Sequence, residues 1–287
     1  MSKVWVTGFH DEATGTITYV AADRTRECAA VIDPVWDFEP KSARLSTSSV
    51  DRLSSFIERE QLTLEWILET HVHADHLTAA QLLKHRFGAP IAIGVNVSTV
   101  QRTFAALYGI EAEVRMDGSQ FDRLFGDGDR FFIGGIEASV LYTPGHTPAC
   151  ITYVVGDAAF VGDTLFMPDS GTARCDFPGG DARTLFRSIG RILDLSPDTR
   201  IFVGHDYGGN GREPAWEATV ADQQANNIHV GAGRGEDAFV HLREERDRTL
   251  EAPTLILPAL QVNIRAGMLP APEANETVYL KLPLNRL

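Results

Sequence analysis

The 287-residue chain is 44% hydrophobic, which is ample for a sizeable core. Its 26 lysines and arginines against 39 acidic residues give a formal net charge of −13, so its long-range field repels nucleic acids and anionic membranes. Three scattered cysteines exclude a disulfide framework and a cysteine-rich zinc site. Without a signal-peptide pattern or a membrane-spanning run, we expect a cytoplasmic protein with no membrane or nucleic-acid contact.

The first half of the chain alternates between strand and helix patterns. Three short runs rich in Val, Ile, Thr and Tyr, at residues 3–9, 15–22 and 27–32, predict an antiparallel meander. Hydrophobic periodicity then predicts helices and buried strands in alternation. Their bounds are helix 48–60, strand 62–70, helix 77–87, strand 89–93 and helix 97–107.

The second half continues the same alternation. Gly134-Gly135 separates the runs 130–133 and 136–142, which is typical of a two-residue hairpin. Further patterns predict strands 150–155, 158–161 and 200–203, and helices 181–194, 214–226 and 236–250. We expect one domain over residues 1–287, in which residues from about 208 to 287 form a C-terminal helical and wrapping extension.

The stretch from His71 to His76, with the sequence HVHADH, carries four metal-capable side chains within six residues. It lies between the strand 62–70 and the helix 77–87, so His71 and His73 should point the same way from a strand end. We expect Asp75 and His76 to enter the helix and reach a neighbouring position. The alternative is a solvated polar turn, but four ligands in six residues favour coordination.

Three later strand ends also deliver ligand-type side chains. His146 lies in the rigid segment TPGHTP, Asp163 in GDT and His205 in GHDY. Because strands of one sandwich present their ends together, we expect these residues to meet the 71–76 motif at one edge of a sheet sandwich.

These motifs, in this order, resemble the metallo-β-lactamase superfamily. The resemblance implies an α/β fold of the four-layer αββα type with metals at one edge of the sheets. In the dinuclear hydrolases of that superfamily, two Zn(II) ions share a bridging Asp163. One metal would take His71, His73 and His146, and the other would take Asp75, His76 and His205. Such a pair generates hydroxide at neutral pH.

His71, His146 and Asp163 alone form a different set, two histidines and one carboxylate, which is typical of non-heme Fe(II) oxygenases. Downstream, the segments 171–177 (GTARCDF), 257–259 (LPA) and 263–267 (NIRAG) resemble the glutathione persulfide dioxygenases. That branch carries one Fe(II) and oxidises glutathione persulfide with O₂ to sulfite and glutathione. The alternative is a dinuclear zinc thioester hydrolase of the hydroxyacylglutathione hydrolase (glyoxalase II) type.

Two further residues are predicted to bind substrate. Because the net charge opposes an anionic tripeptide, we expect Arg174 to clamp a glutathione carboxylate near the metal. Tyr207, two residues after His205, is a candidate hydrogen-bond donor to substrate. Asp176 is interpreted as a loop partner that holds Arg174. His73, Asp75, His76 and His205 would then shape the pocket, and a homodimer is compatible with this interpretation.

Overall fold

The computed structural model describes residues 3–286 and has four layers, in the order helix, sheet, sheet, helix. The first sheet is six-stranded, and its strands lie side by side in the order in which the chain forms them. They are β1 Trp5–His10, β2 Ile17–Asp23, β3 Cys28–Ile32, β4 Thr63–Leu68, β5 Ile91–Gly94 and β6 Arg123–Phe125. Pairing is antiparallel from β1 to β3 and parallel from β3 to β6.

The second sheet also has six strands in chain order. They are β7 Arg130–Ile133, β8 Ile136–Tyr142, β9 Ile151–Val155, β10 Ala158–Phe160, β11 Arg200–Phe202 and β12 Glu217–Thr219. All neighbours are antiparallel except β10 and β11, which are parallel. Two-residue ladders pair Val35–Trp36 with Leu77–Thr78, and Phe38–Glu39 with Arg44–Leu45.

Seven α-helices cover the outer faces of the sheets in residues 3–286. They are α1 Ser48–Arg59, α2 Ala80–Phe87, α3 Val97–Tyr108, α4 Ala182–Leu193, α5 Val220–Asn226, α6 Glu236–Asp247 and α7 Ile256–Asn263. A 3₁₀ turn occupies Gly209–Gly211. None of these helices is long and apolar enough to span a bilayer.

Alternating side chains of the strands fill three hydrophobic layers. Val20 and Val31 point from the first sheet toward α1, α2, α3 and α7, whereas Tyr19 and Ile32 point into the layer between the sheets. The third layer packs Ile201 of β11 against α4, α5 and α6. Helices cover the outer face of each sheet, and the two inner faces cover each other. The strand sequences are therefore mostly apolar. The predicted αββα sandwich is confirmed.

Most predicted elements are present within one or two residues, and the Gly134-Gly135 hairpin has the predicted strand bounds. Two predicted helices begin at the wrong residue. The motif helix begins at Ala80 rather than residue 77, because Leu77 and Thr78 pair with Val35–Trp36. Residues 214–219 are not helical, because Glu217–Thr219 adds a strand to β11 before α5 begins. Strand β6 and helix α7 lacked a recognised sequence signal.

Candidate metal centre

The ends of three strands and one loop bring the ligand-type residues to one edge of the sandwich. Strand β4 ends at Leu68 and leads directly into His71. Strands β10 and β11 run parallel, so Asp163 and His205 leave them at the same edge. His146 arrives from the loop between β8 and β9. The predicted meeting of these side chains is therefore present in the structure.

Gly145 fixes the approach of His146 to this edge. Its φ of 138° lies in a region that L side chains rarely adopt, and a Cβ there would meet the backbone of Leu185 at the start of α4. Its carbonyl accepts from Asp181 N at 2.9 Å, where Asp181 caps α4. The loop that carries His146 is thereby held directly against the helix.

His71, His146 and Asp163 form a compact buried set of ligand atoms, all within 4.8 Å of one another. His71 Nε2 lies 4.0 Å, and His146 Nε2 3.8 Å, from Asp163 Oδ2. His71 Nε2 is buried and has no hydrogen-bond partner among the described residues. An orphaned nitrogen facing a carboxylate oxygen and a second imidazole fits a bound cation.

Hydrogen bonds behind the two histidines leave both Nε2 atoms free to coordinate. His146 Nδ1 donates to the carbonyl of Arg174 at 2.7 Å. His71 Nδ1 lies 3.0 Å from Thr70 Oγ1, and that hydroxyl donates to Asp33 Oδ2 at 2.7 Å. This network assigns the proton of each ring to Nδ1, so that Nε2 carries the lone pair. Burial, and then the neighbouring His73, hold the pKa of His71 well below its ordinary value.

His205 has a different environment, because both of its ring nitrogens contact carboxylates. Nδ1 lies 2.7 Å from Asp163 Oδ1, and Nε2 lies 2.7 Å from Asp75 Oδ2. The Thr16 hydroxyl lies 3.0 Å from the same Nε2 and 2.9 Å from Asp75 Oδ2. Burial opposes a charge on His205, but the two carboxylates outweigh it and raise its pKa well above the ordinary value.

The same contacts set the charge of Asp163. Burial alone would raise the pKa of this carboxyl, but the charge and hydrogen bond of His205, with His71 and His146 beyond, lower it below the ordinary value. Asp163 is therefore an anion that offers Oδ2 to the first set while Oδ1 binds His205.

His73 belongs to neither of these arrangements. Its Nε2 lies 3.0 Å from Asp33 Oδ1 and 3.3 Å from Glu69 Oε2, although neither contact is aligned as a hydrogen bond. Thr78 donates to the other Glu69 oxygen. His73 groups within 4.8 Å with Asp75 and His76, and is not part of the set around His71 among residues 3–286.

The 71–76 segment is a loop throughout, which corrects the prediction that Asp75 and His76 enter a helix. Asn263, at the end of α7, explains why. Its Nδ2 donates to the carbonyls of His73 and His76, both at 2.8 Å, and its Oδ1 accepts from Thr78 N at 2.8 Å. Because a distant side chain satisfies these backbone groups, the segment has no need of helical hydrogen bonds.

The sequence model described as "Metallo-beta-lactamase superfamily" matches residues 12–205, which include all seven ligand-type residues. The chain belongs to the metallo-β-lactamase superfamily. Helices α5, α6 and α7 follow the matched segment. Asn263, at the end of α7, hydrogen-bonds the backbone of the 71–76 loop within it.

Several proteins of this superfamily align with almost the whole chain. The "Beta-lactamase hydrolase-like protein" of Xylella fastidiosa (strain Temecula1 / ATCC 700964) is 55% identical over 98% of this chain and 65% of its own length. "Glyoxylase B2" of Dictyostelium discoideum is 47% identical over 96% and 95% of the two chains. The chain therefore spans just under two thirds of the Xylella protein and nearly all of the Dictyostelium one.

Other relatives carry the name ETHE1. The human "Persulfide dioxygenase ETHE1, mitochondrial" is 33% identical over 68% of this chain and 65% of its own length. The crystal structure of ETHE1 from Myxococcus xanthus superimposes with a TM-score of 0.74 at 30% identity, covering 92% of this chain and 100% of that one. The likeness to that metallo-β-lactamase fold thus extends well beyond the matched segment 12–205.

A cavity of about 560 Å³ opens over the metallo-β-lactamase ligand set, and both predicted substrate residues line it. Tyr207 is 72% exposed, and its ring stacks 6.0 Å from that of His205. Arg174 donates to both carboxylate oxygens of Asp176, at 2.6 and 2.7 Å, and to the carbonyl of Glu251 at 2.6 Å. The interpretation of Asp176 as the partner of Arg174 agrees with this geometry. A substrate carboxylate would have to compete with Asp176 for the same donors.

Three residues of the site, Thr16, Asp33 and Glu69, escaped the sequence analysis, and Asn263 was noted only as part of the segment 263–267. Thr16 directly precedes β2 and Asp33 directly follows β3. Glu69 and Asp33 are both buried carboxylates at strand ends, which is a usable signal because an unpaired buried carboxylate is costly. Thr16 gives no such signal, since a threonine in a meander of strands is ordinary.

Proposed function

We propose that this chain is a persulfide dioxygenase, which oxidises glutathione persulfide with O₂ to sulfite and glutathione at a single non-heme Fe(II) site. One observation carries the proposal. Both ring nitrogens of His205 contact carboxylates, Nδ1 that of Asp163 and Nε2 that of Asp75, and the Thr16 hydroxyl contacts both Nε2 and Asp75. The His205 nitrogens that a second metal would need are therefore already hydrogen-bonded. His71 Nε2 is left without a partner in the described structure, and so are His76 Nε2 and both ring nitrogens of His73. The preference for one metal therefore rests on the contacts of His205, whose two ring nitrogens are both engaged.

His71, His146 and Asp163 would hold the metal, as a set of two histidines and one carboxylate with open coordination positions. Bound Fe(II) would supply the redox chemistry with O₂ that zinc lacks. The reaction balances as glutathione persulfide, O₂ and water giving glutathione, sulfite and two protons. The sulfur–sulfur bond breaks, the outer sulfur is oxidised, and O₂ is reduced.

The remaining residues of the site position and shield the substrate. Thr70 and the Arg174 carbonyl fix the two imidazole rings, so the metal position does not drift as substrate enters. Phe166 and Phe177 give the cavity apolar walls that limit access of water. We propose that Tyr207 contacts the substrate, and the carboxylate clamp at Arg174 stays a prediction. The cytoplasmic compartment and the homodimer also stay predictions.

The names of two relatives support this choice. A human persulfide dioxygenase aligns over two thirds of the chain, and the fold follows that of a bacterial ETHE1 over nearly its full length. Those names belong to proteins about 30% identical to this one, so the substrate is a proposal for this chain.

A dinuclear zinc thioester hydrolase is the second candidate. It is favoured by the more similar Dictyostelium protein named glyoxylase B2, and by the closeness of Asp75, Asp163 and His205, whose ligand atoms lie within 4.8 Å. A second metal there would require His205 Nε2 to exchange its contacts with Asp75 and Thr16 for coordination.

Metal analysis of protein purified without added metal, paired with oxygen uptake on glutathione persulfide, tests the proposal. We expect close to one iron per chain and stoichiometric oxygen consumption with release of sulfite. Two zinc ions per chain, together with hydrolysis of a glutathione thioester and no oxygen uptake, would establish the hydrolase instead.

A further inference from the structure

The cavity above the metal-binding residues has three arginines on its wall: Arg174, Arg243 and Arg246. In a chain of net charge −13, an anionic substrate needs a local cation to offset the long-range repulsion. The three guanidinium groups differ in how many partners each has within the protein.

Two of the three are committed to the protein. Arg174 holds Asp176 with both sides of its fork. Arg243 is almost completely buried, where it contacts Asp247 Oδ1 through Nε at 2.9 Å and donates through Nη1 to the carbonyl of Thr172 at 2.9 Å. Separating the buried Arg243 from its partners is costly, and a ligand would have to displace Asp176 to reach the half-buried Arg174.

Arg246 is different. It lies one turn after Arg243 in the last turn of α6, is exposed on the cavity wall, and forms no side-chain hydrogen bond or ion pair within residues 3–286. The helix beneath it is fixed, because Asp247 accepts from Cys175 N at 2.9 Å and so joins α6 to the loop that follows the metal ligand Asp163. Arg246 is therefore a free cation on a rigid support.

The surroundings of Arg246 are locally positive in spite of the acidic chain. Burial, and then the charges of Arg243, Arg246 and Arg234, lower the pKa of the nearby His229 to about 4. The acidic residues of the cavity wall are partly neutralised, since Asp169 pairs with Arg212, and Asp75 and Asp163 share the single positive charge of His205. Glu251 is the one wall carboxylate without an ion pair in the described part of the chain, so it opposes an anion there.

We propose that Arg246 binds a carboxylate of the substrate, while the reacting sulfur lies at the metal-binding residues on the other side of the same cavity. The identity of the thiol rests on the proposed function. The chemistry recognised is that of a thiol or persulfide with a carboxylate several bonds from the sulfur, as in a small acidic peptide. A guanidinium fork matches such a carboxylate with two parallel hydrogen bonds.

Binding of glutathione to the metal-loaded protein, measured by calorimetry without oxygen, tests this assignment. We expect Arg246→Gln to weaken glutathione binding by roughly tenfold, which is the range of one charge-assisted pair. Arg246→Lys should recover only part of the affinity, because lysine supplies charge without the fork. The matched control is Arg248→Gln, which removes an exposed arginine that is absent from the cavity wall, and it should leave binding unchanged.

A second ligand, glutathione with both carboxylates esterified, tests whether Arg246 recognises the carboxylate itself. A general effect of the substitution on the fold would weaken binding of both ligands equally. The wild type should bind the ester more weakly than glutathione, and this difference should shrink in Arg246→Gln. With glutathione persulfide as substrate, the same variant should raise KM and leave kcat nearly unchanged. Its melting temperature should fall no more than that of Arg248→Gln.

Absence of glutathione binding by the wild type, or less than a twofold change in Arg246→Gln, would overturn the assignment even if the protein oxidises persulfide. Failure of persulfide oxidation in a protein whose glutathione binding depends on Arg246 would instead remove the dioxygenase proposal and leave the carboxylate site standing. The two proposals thus fail by different measurements.

Discussion

His146 donates a hydrogen bond from Nδ1 to the backbone carbonyl of Arg174, 2.7 Å away. This contact couples the orientation of a predicted metal ligand to the conformation of the loop that carries Arg174. The loop is in turn braced by the Arg174–Asp176 pair and by the bond from Arg174 to the Glu251 carbonyl. The arginine side chain and the ligand are therefore linked through one short stretch of backbone.

Substitution of Arg174 should consequently disturb the loop more than substrate affinity. We expect Arg174→Gln and Asp176→Asn to lower the melting temperature by similar amounts, because each removes the same charge-assisted pair. Such a partly exposed pair contributes on the order of 1 kcal/mol. Thermal unfolding of both variants measures the change in melting temperature, and steady-state kinetics measures the change in KM for glutathione persulfide.

The clamp predicted from the sequence gives the opposite pattern. In that case Arg174→Gln raises KM for glutathione persulfide at an unchanged melting temperature. Asp176→Asn would then lower KM, because it frees the guanidinium fork for the substrate carboxylate.

Metal retention should differ sharply between two histidines of the site. His71→Ala removes a coordinating nitrogen, so we expect bound iron to fall at least tenfold, in line with a loss of about 1.4 kcal/mol or more. His205→Ala removes only a group that hydrogen-bonds Asp163 and Asp75, and it should keep most of the iron. Elemental analysis of the two purified variants measures this. Equal loss of metal from both would indicate a site in which His205 coordinates directly.

The sequence predicted the ligand-type residues themselves. It did not predict the contacts that give His205 different surroundings from His71, His146 and Asp163. His71, His146, Asp163 and His205 each follow a strand pattern, and strand ends of one sandwich meet at one edge. Thr16 reaches His205 only because the turn between β1 and β2 packs on the loop after β11, where Ile17 N donates to the Gly204 carbonyl at 2.9 Å. No local pattern encodes a contact between residues 16 and 205.

The same limit explains the error at the motif helix. Leu77 and Ala80 have helical spacing, which correctly predicts that a helix follows the motif. Its first residue is set by two contacts from elsewhere in the chain. Val35–Trp36 pairs with Leu77–Thr78, and Asn263 hydrogen-bonds backbone groups of residues 73, 76 and 78. Hydrophobic periodicity indicates which face of a helix is buried. It cannot predict that a side chain far along the sequence will hydrogen-bond the backbone where the helix would otherwise begin.

Gly145 should be the most sensitive glycine of the site. Gly145→Ala places a Cβ against the backbone of Leu185 at a φ of 138°, so either α4 or the His146 loop must move. We expect a loss of about 2–4 kcal/mol in the free energy of unfolding, together with weaker metal retention. Gly190→Ala is the control within α4, since a Cβ there meets nothing within 4 Å. It should stabilise the protein by about 0.5–1 kcal/mol. Urea unfolding of both variants tests this, and an unperturbed Gly145→Ala would remove the argument.

His229 should make the stability of the protein depend on mild acid. Its Nδ1 accepts from Thr172 N at 2.9 Å, and burial with the nearby arginine charges lowers its pKa to about 4. The unfolded chain takes up this proton near pH 6.5, while the folded chain resists it until about pH 4. Stability is therefore present above about pH 6.5 and is lost as the pH falls through this window.

The loss from this one group should reach at most about 3.5 kcal/mol, because about 1.4 kcal/mol accompanies each unit of pKa difference. His229→Gln keeps an acceptor for the Thr172 amide and removes the titration, so its unfolding free energy should vary less with pH than that of the wild type. Urea titrations of both proteins in the same buffers measure the difference, and any contribution of metal binding cancels between them. Parallel pH profiles would mean that His229 does not titrate in this range. In that case the positive surroundings inferred for the Arg246 side of the cavity would lose their electrostatic support.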